Sequence, residues 1–354
     1  MAPEEFSRRL LEWFGREGRK HLPWQADPTP YRVWVSEIML QQTQVATVIP
    51  YYERFIARFP DVRQLAAAPQ DEVLHLWTGL GYYARARNLQ AAARILVQRF
   101  GAQFPASIDE VMELPGIGRS TAGAILALSR GEHHAILDGN VKRVLTRVFA
   151  IGGDPTAPAT LKVLWAKAAA CTPHEGVAAY TQGIMDLGAT LCTRSRPACT
   201  RCPMRDGCIA ASEGRQAEFP NAKRKRERKA REATLLLAER QGVQGRAILL
   251  QRRPAEGIWG GLWSPPQFED AAAALDGVRA QLGEAAGVPQ ALSPIDHAFT
   301  HFDLRLHPLR VPCAGEDGVR EDDSRLWYTL DAPQRVGLPQ PIKVLLDTLR
   351  DSSF

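Results

Sequence analysis

The sequence predicts two domains, an all-α domain followed by an α+β domain. The chain has 354 residues, which is long enough for two hydrophobic cores. Apolar residues recur at helical spacing before residue 218, whereas short apolar runs alternate with turn residues after residue 231. We therefore predict a helical domain at 1–218, a linker at 219–231 and a second domain at 232–354.

Composition favours a folded protein that works away from membranes. Apolar residues make up 45% of the chain and charged residues 23%, which is ordinary for a globular protein. No apolar run approaches the length of a membrane span, and the acidic start at residues 1–6 is unlike a signal peptide. The net charge of +5 suits a polyanionic partner.

The first helices of the chain contain an unusual carboxylate. Helical periodicity predicts helices over residues 5–15 and 31–48. Within the second of these, Glu37, Gln41 and Gln44 are spaced so that they share one helical face. A carboxylate beside glutamines on a mostly apolar helix indicates a functional site, although a solvated face explains the same pattern.

Residues 51–100 continue as helices with short breaks, and one of these breaks contains aromatic and basic residues. Tyr82 and Tyr83 come directly before Arg85 and Arg87. Aromatic side chains can wedge between bases while arginines hold phosphates. Core tyrosines beside an exposed basic helix face fit the same residues equally well.

The stretch from Leu114 to Arg143 is the most informative part of the chain. Gly116 ends one helix, and Gly118 allows another backbone to approach closely. The helix that starts near Ser120 offers free N–H groups, which bind phosphate. Asp138 directly precedes a basic helix. The alternative is a tight αα-hairpin with an aspartate that only caps a helix.

Four cysteines crowd into the loop 192–208, at Cys192, Cys199, Cys202 and Cys208. In a chain without a signal peptide, such clustering indicates metal ligation rather than disulfides. Four thiolates without a histidine suit either a 4Fe–4S cluster or a zinc ion, and the spacing alone leaves both open.

The pattern changes after the linker, whose residues 221–231 include seven basic side chains and one acidic side chain. Such a charged segment repels itself and can follow a phosphate backbone. The elements predicted beyond it are a hairpin of strands at 234–238 and 247–250, a helix at 270–286, strands at 296–311 and 325–330, and a closing helix at 340–350.

The chain resembles the MutY-type adenine DNA glycosylases, a branch of the endonuclease III superfamily, over nearly its whole length. The resemblance implies a helix-hairpin-helix domain with a 4Fe–4S cluster, which removes adenine mispaired with 8-oxoguanine or guanine in double-stranded DNA. The target base must first be flipped out of the duplex. The matching runs are Leu22 to Trp24, Val35 to Gln44, Gly79 to Arg85, Leu114 to Ala122, Leu137 to Arg143 and the four cysteines.

The resemblance also implies catalytic roles. Glu37 corresponds to the acid that protonates the leaving adenine, Asp138 to the carboxylate that stabilises the cationic sugar, and Asn140 to a supporting polar residue. Two carboxyls of opposite character solve the same problem in glycoside hydrolases. Bifunctional relatives carry a lysine where this chain has Ser120, so the resemblance implies a glycosylase that uses water and leaves the strand intact.

Further residues match the parts of the family that contact DNA. Trp24 and Gln182 fall where the adenine pocket is lined, and Gln42 and Tyr82 match residues that enter the base stack. Gly116, Gly118 and Ser120 belong to the hairpin that holds the DNA backbone.

The second domain resembles the Nudix fold of 8-oxo-dGTP hydrolases. Its helix around 278–287 offers only Glu284 as an acidic residue, too few carboxylates for a divalent ion cluster. We therefore expect no hydrolysis of nucleotides. In the family, a Phe-Ser-His run recognises 8-oxoguanine, and here the run is Phe299-Thr300-His301. The alternative for this run is an ordinary strand with a buried histidine.

Three other functions are weaker explanations of the sequence. A pyrimidine glycosylase with lyase activity is disfavoured by Ser120 and by the long second domain. A DNA-binding module without catalysis is disfavoured by Glu37 together with Asp138, and a nucleotide hydrolase by the missing carboxylates. We expect a monomer without membrane contact, cytoplasmic and nucleoid-associated if the source is bacterial.

Overall fold

The computed structural model describes residues 1–221, 228–242, 245–282, 288–313 and 322–352. Residues 222–227 of the predicted linker and Glu284 lie outside the described residues. The chain divides into two compact units. Unit 1 comprises Met1–Ala67 and Asn88–Lys225, and unit 2 comprises Ala68–Arg87 and Arg226–Phe354.

Unit 1 is helical, as predicted, and unit 2 combines helices with a sheet. Within the described ranges, no helix is long and apolar enough to cross a membrane. The helices in chain order are α1 (Pro3–Glu17), α2 (Pro30–Leu40), α3 (Val45–Arg58), α4 (Val62–Ala67), α5 (Gln70–Trp77), α6 (Ala84–Phe100), α7 (Ile108–Met112), α8 (Arg119–Arg130), α9 (Gly139–Val148), α10 (Pro158–Cys171), α11 (Val177–Asp186), α12 (Ile209–Ser212), α13 (Ala271–Leu282) and α14 (Gln340–Asp351).

The core of unit 1 forms where α1 and α8 to α11 pack together. Phe6 and Leu10 of α1 are fully buried and belong to the same apolar cluster as Leu145 of α9 and Leu187. Helix α8 packs against both α2 and α11. This packing brings the start of α8, the start of α9 and the middle of α2 into one region of unit 1.

The helix predicted at 31–48 is wrong, because the chain breaks between α2 and α3. Gln42 has a positive φ of 61°, and the N–H of Thr43 donates to the carbonyl of Leu40 (3.3 Å). Gln41 and Gln44 flank this break, so they do not share a helical face with Glu37. Apolar residues keep the same period on both sides, which explains why the sequence conceals the break.

Unit 2 contains a mixed sheet of order β3-β2-β1-β7-β5, with β4 paired to β1, β6 to β7 and β8 to β2. Central strand β1 is antiparallel to β2 and parallel to β7. The predicted hairpin of β1 and β2 is confirmed. The strands are β1 (Lys229–Gly242), β2 (Gly245–Arg252), β3 (Trp263–Ser264), β4 (Gln267–Phe268), β5 (Gln290–Ala291), β6 (Ile295–Ala298), β7 (Phe302–Pro312) and β8 (Arg325–Thr329).

Two segments of unit 2 differ from the sequence prediction. Strand β1 begins at Lys229, so the last three residues of the predicted linker pair with β7. The strand predicted at 296–311 is two antiparallel strands, because the chain turns at Phe299–His301 between β6 and β7. In that turn the N–H of Phe299 donates to the carbonyl of Phe302 (2.9 Å).

The segment Ala68–Arg87 belongs to unit 2, although the sequence suggested the helical domain. The carboxylate of Asp71 accepts hydrogen bonds from Arg252 (2.7 Å) and from the indole of Trp263 (3.0 Å). The hydroxyl of Tyr83 donates to the carbonyl of Leu338 (2.9 Å). These contacts join residues far apart in the chain, and they explain why Ala68–Arg87 belongs to unit 2. The local sequence gives no sign of them.

Candidate functional site

Glu37 lies on α2 and is partly buried among apolar neighbours. Burial raises the pKa of its carboxyl to about 8, and the nearby charge of Asp138 adds to the rise. At neutral pH this carboxyl therefore holds a proton. This electrostatic interaction shows that the carboxyls of Glu37 and Asp138 are near each other.

Asp138 is the N-cap of α9. One carboxylate oxygen accepts the N–H of Val141 (2.7 Å), and the other accepts the side-chain amide of Asn140 (3.2 Å). Burial raises the pKa of Asp138, whereas the hydrogen bonds from Val141 and Asn140 and the charge of Arg143 act in the opposite direction. These groups favour the anion at Asp138, whereas the charge of Asp138 favours the protonated form of Glu37.

Ser120 connects the start of α8 to the segment that carries Asp138. Its hydroxyl accepts the N–H of Leu137 (2.9 Å). The predicted helical hairpin is formed by α7 and α8, with Gly116 at a φ of 79° in the turn. A Cβ atom added to Gly118 would meet no described atom within 4 Å, so the start of α8 has open space in front of it.

Gln182 and the turn that contains Trp24 are joined through a buried carboxylate. Asp186 has 0% exposure and accepts the side-chain amide of Gln182 (2.9 Å). Arg19 donates two kinds of hydrogen bond to the same carboxylate. The shortest from its guanidinium is 2.6 Å, and the one from its backbone N–H is 2.8 Å. The carbonyl of Arg19 in turn accepts the side-chain amide of Gln25 (2.9 Å), directly after buried Trp24.

Arg19 and Asp186 were not predicted from the sequence. The spacing of Gln182 and Asp186 on one helical face was a signal in the sequence, but nothing local connects either residue to Arg19. The turn of Trp24, at residues 23–25, also packs against α2, the helix of Glu37.

The four cysteines line one cavity in unit 1. Burial raises the pKa of the Cys202 thiol to about 12, and the other three thiols add to the rise because they are close to it. Among the described residues, no three potential ligands are close enough together to hold one metal ion. The cavity brings the four thiols together around one space.

Arg147 is a buried cation beside this cavity, with 2% exposure. Its guanidinium contacts the sulfur of Cys192 (3.4 Å) and donates to the carbonyls of Thr193 (2.7 Å) and Arg194 (3.0 Å). A basic residue on a basic helix is usually exposed, so the burial of Arg147 was not predicted from the sequence. Its position suits an anionic group of thiolates.

Arg143, one turn before Arg147 on α9, connects the carboxylate site to the cysteine loop. Its guanidinium donates to the side-chain oxygen of Asn140, to the carbonyl of Gly188 and to the carbonyl of Cys192, each at 2.7 Å. Gly188 lies in a wide helical turn, Leu187–Leu191, in which the N–H of Cys192 donates to the carbonyl of Leu187 (2.7 Å).

Gln42 and Tyr82 share an unusual backbone conformation. Gln42 in unit 1 has a φ of 61° and Tyr82 in unit 2 has a φ of 48°, values that non-glycine residues adopt only rarely. The side chain of Tyr82 is also exposed, at 50% of its surface.

The turn Phe299–His301 of unit 2 rests on an aromatic cluster. The ring of Phe299 stacks on Phe302 at 4.6 Å and meets His297 edge-on at 4.7 Å. Thr300 and His301 are exposed at the tip of the turn. The alternative of a buried histidine within an ordinary strand is therefore wrong.

Comparisons with known proteins agree with this architecture. Residues 35–169 match the family model of the HhH-GPD superfamily of base excision DNA repair proteins, and residues 234–348 match that of the NUDIX domain. An adenine DNA glycosylase of Buchnera aphidicola subsp. Acyrthosiphon pisum (strain APS) is 37% identical over 351 residues, which is 99% of each chain. The human adenine DNA glycosylase is 37% identical over 312 residues, covering 74% of this chain and 57% of the human protein.

Solved structures agree at the level of the fold. A thermostable thymine-DNA glycosylase matches 60% of this chain and 97% of its own, with 26% identity and a TM-score of 0.55. Endonuclease III in a non-covalent DNA complex matches 59% of this chain and 94% of its own, with 22% identity and a TM-score of 0.51. By its two domain types and its full-length relatives, the chain belongs to the MutY-type adenine DNA glycosylases.

Proposed function

We propose that this enzyme removes adenine paired with 8-oxoguanine or guanine in double-stranded DNA, acts as a monomer, and leaves the sugar–phosphate strand intact. The observation that carries the proposal is the pair of carboxyls in unit 1. Burial raises the pKa of both carboxyls, to about 8 for Glu37, and hydrogen bonds counter this rise at Asp138. We assign the protonated role to Glu37 and the anionic role to Asp138. Cleavage of an N-glycosidic bond requires both.

The proton of Glu37 goes to the adenine ring as the bond between the base and the sugar breaks. A neutral base leaves far more readily than an anionic one, so general acid catalysis carries much of the rate. A pKa of about 8 keeps the acid protonated at neutral pH while leaving it strong enough to give up its proton.

Asp138 stabilises the positive charge that develops on the sugar. Its position at the start of α9, with hydrogen bonds from Val141 and Asn140, fixes the carboxylate before the reaction begins. Water then adds to the sugar carbon and loses a proton, which gives an abasic site. Ser120 has no amine, so no imine forms with the sugar and the strand is not cut by elimination.

Several features of the described residues support DNA binding. Open space in front of Gly118 gives a phosphate access to the start of α8, where the helix N-terminus attracts anions. Gln42 and Tyr82 hold strained backbone conformations, which persist mainly where function requires them. We assign both side chains to the base stack around the mispair.

Recognition of the base opposite adenine is assigned to unit 2. The turn Phe299–His301 presents a threonine hydroxyl and an imidazole at the surface, and Phe299 anchors that turn on Phe302. The hydroxyl and imidazole can hydrogen-bond the altered edge of 8-oxoguanine. Thr300 keeps the hydroxyl of the serine usual in the family and adds a methyl group.

The proposal is tested with duplexes that contain adenine opposite 8-oxoguanine, guanine or thymine. We expect base release under single-turnover conditions from the first two duplexes and none from the third. Strand breaks should appear only after hot alkali. Breaks without alkali would indicate a lyase, and release of an oxidised pyrimidine instead of adenine would contradict the proposal.

The same assay tests unit 2 through His301→Ala. This variant should lower the ratio of rates for 8-oxoguanine and guanine opposite adenine, because it removes a contact to the lesion only. His307→Ala is the matched control, since His307 is a partly exposed histidine of unit 2 that hydrogen-bonds Glu232. An unchanged ratio in His301→Ala would remove the turn from lesion recognition.

We also propose that the four cysteines bind a 4Fe–4S cluster. The donors fit such a group, because four thiols line one cavity and a buried guanidinium offsets the negative charge of thiolates. Cys192, Cys199, Cys202 and Cys208 would be the ligands. The cluster would hold the loop 192–208, which has little apolar core of its own, and it takes no part in bond cleavage.

The purified protein is expected to be brown and to contain about four iron atoms per chain. Cys199→Ser should lower the iron content and the thermal stability, because the loop loses one of its attachments. Cys171→Ser, the control, changes a buried cysteine outside the cavity and should leave the iron content unchanged. A colourless, active protein with one zinc ion per chain would overturn the assignment.

A further inference from the structure

We infer that Asp186 is a positioning residue that makes the base pocket selective for a purine with an amino group at position 6. The inference rests on the proposed function, because it takes Gln182 as part of the adenine pocket. Asp186 fixes which end of the Gln182 side chain is available to the base.

The orientation of the Gln182 amide follows from hydrogen-bond chemistry. An ionised carboxylate only accepts hydrogen bonds, so the amide group that faces Asp186 must be the donating NH2. The distance from Nε2 of Gln182 to Oδ1 of Asp186 is 2.9 Å. The amide oxygen is therefore left on the opposite side, as an acceptor.

Asp186 can impose this orientation because its own position is fixed. Its side chain is almost fully buried and pairs with the guanidinium of Arg19 at 2.6 Å. A second nitrogen of that guanidinium lies at 2.9 Å, and the backbone N–H of Arg19 at 2.8 Å. These charge-assisted hydrogen bonds hold the carboxylate in place.

An acceptor at this point distinguishes two kinds of purine. The 6-amino group of adenine donates a hydrogen bond to the oxygen of Gln182, whereas the 6-oxo group of hypoxanthine is itself an acceptor and repels it. A site built around a donated hydrogen bond rejects an analogue that lacks the donor far more strongly than an apolar pocket does.

Arg19 extends the same network to the turn of Trp24. Its carbonyl accepts the side-chain amide of Gln25 (2.9 Å), and the side-chain oxygen of Gln25 accepts the N–H of Leu22 (3.0 Å). Gln182 and the turn of Trp24 are therefore linked through one ion pair, that of Asp186 with Arg19.

The test measures single-turnover release of adenine and of hypoxanthine, each placed opposite the same partner base. In Asp186→Asn one carboxylate oxygen becomes an NH2, which faces either the guanidinium or the backbone N–H of Arg19. Either arrangement loosens the group that holds Gln182, so Gln182 can turn its NH2 towards the base. The ratio of adenine to hypoxanthine release should fall about 10-fold or more relative to the wild type, which corresponds to one hydrogen bond. Gln182→Leu, which leaves the ion pair intact, should lower the ratio in the same direction.

Glu239→Gln is the matched control. Glu239 of unit 2 forms a comparable bidentate pair with Arg310, at 2.7 Å and 2.8 Å. This variant should lose thermal stability without changing the ratio of adenine to hypoxanthine release. It therefore separates the effect of losing an ion pair from the effect of losing the orientation of the Gln182 amide. Arg19→Gln is the second variant, for use if Asp186→Asn does not fold. It changes a partly exposed residue, loosens the carboxylate of Asp186 and should also lower the ratio of adenine to hypoxanthine release.

The two possible failures are distinguishable. A wild-type protein that releases no adenine from either mispair contradicts the proposed function. A wild-type protein that prefers adenine, together with an Asp186→Asn variant of unchanged ratio and normal folding, overturns the positioning role of Asp186 alone.

Discussion

Replacement of Glu37 by glutamine is expected to abolish adenine release while duplex binding persists. The amide keeps the shape of the carboxylic acid but has no proton to give to the leaving base. General acid catalysis contributes ~10²–10⁴-fold, and the loss should be at least of that order. Single-turnover cleavage and equilibrium binding of the same duplex measure the two effects separately.

The pH dependence of the wild type provides a second measurement. Because the pKa of Glu37 is raised to about 8, the acid is protonated below that pH, and the rate constant should fall as pH rises through it. The folded protein also holds this proton more tightly than the unfolded chain does. The contribution of Glu37 to stability is therefore complete below pH 4.5 and is lost as pH rises through about 8.

Glu37→Gln should remove the contribution of residue 37 to the pH dependence of both the rate constant and the stability. Its melting temperature should therefore decline less between pH 5 and pH 9 than that of the wild type. The matched control is Glu53→Gln, which changes an exposed glutamate on α3, the next helix. A near-normal rate in Glu37→Gln, or a wild-type rate that does not fall above pH 8, would remove Glu37 from the role of acid.

Replacement of Asp138 by asparagine should slow adenine release by ~10²–10³-fold, the usual cost of removing one preorganised electrostatic contact. The amide oxygen can still accept the N–H of Val141, so the start of α9 should remain folded. What disappears is the negative charge that offsets the developing cation on the sugar.

This variant should also shift the pH profile. The charge of Asp138 helps to raise the pKa of Glu37, so its removal should move the fall in rate to lower pH. Asp61→Asn is the matched control, because Asp61 also accepts a backbone N–H at a helix start, that of Gln64 (2.9 Å). If Asp138→Asn cleaves at the wild-type rate, another group must stabilise the sugar.

Local signals in the sequence were sufficient for the hairpin and for Asp138. A glycine in a turn and an aspartate before a helix both act within a few residues, so their positions can be predicted from neighbours alone. The first two strands of unit 2 were predicted for the same reason, since they follow one another in the chain and pair directly.

The break around Gln42 and the burial of Arg147 could not be predicted in this way. No proline or glycine marks residues 41–44, and the apolar period continues across them. Arg147 is buried because carbonyls and a sulfur from distant segments satisfy its guanidinium. The pairing of Arg19 with Asp186 likewise joins residues far apart in the chain, and only the folded structure brings them together.

The wide turn at Leu187–Leu191 makes the length of this segment critical. Each residue of a regular α-helix rotates the following chain by about 100°. Deletion of one residue here could restore a regular helix, but it would turn Cys192 away from the cavity that it shares with the other thiols. A Cβ at Gly188 would lie 2.6 Å from the Cβ of Asn140, so side-chain size is restricted there as well. The segment therefore acts as a spacer of fixed length, in which substitutions away from Gly188 are tolerated better than insertions or deletions.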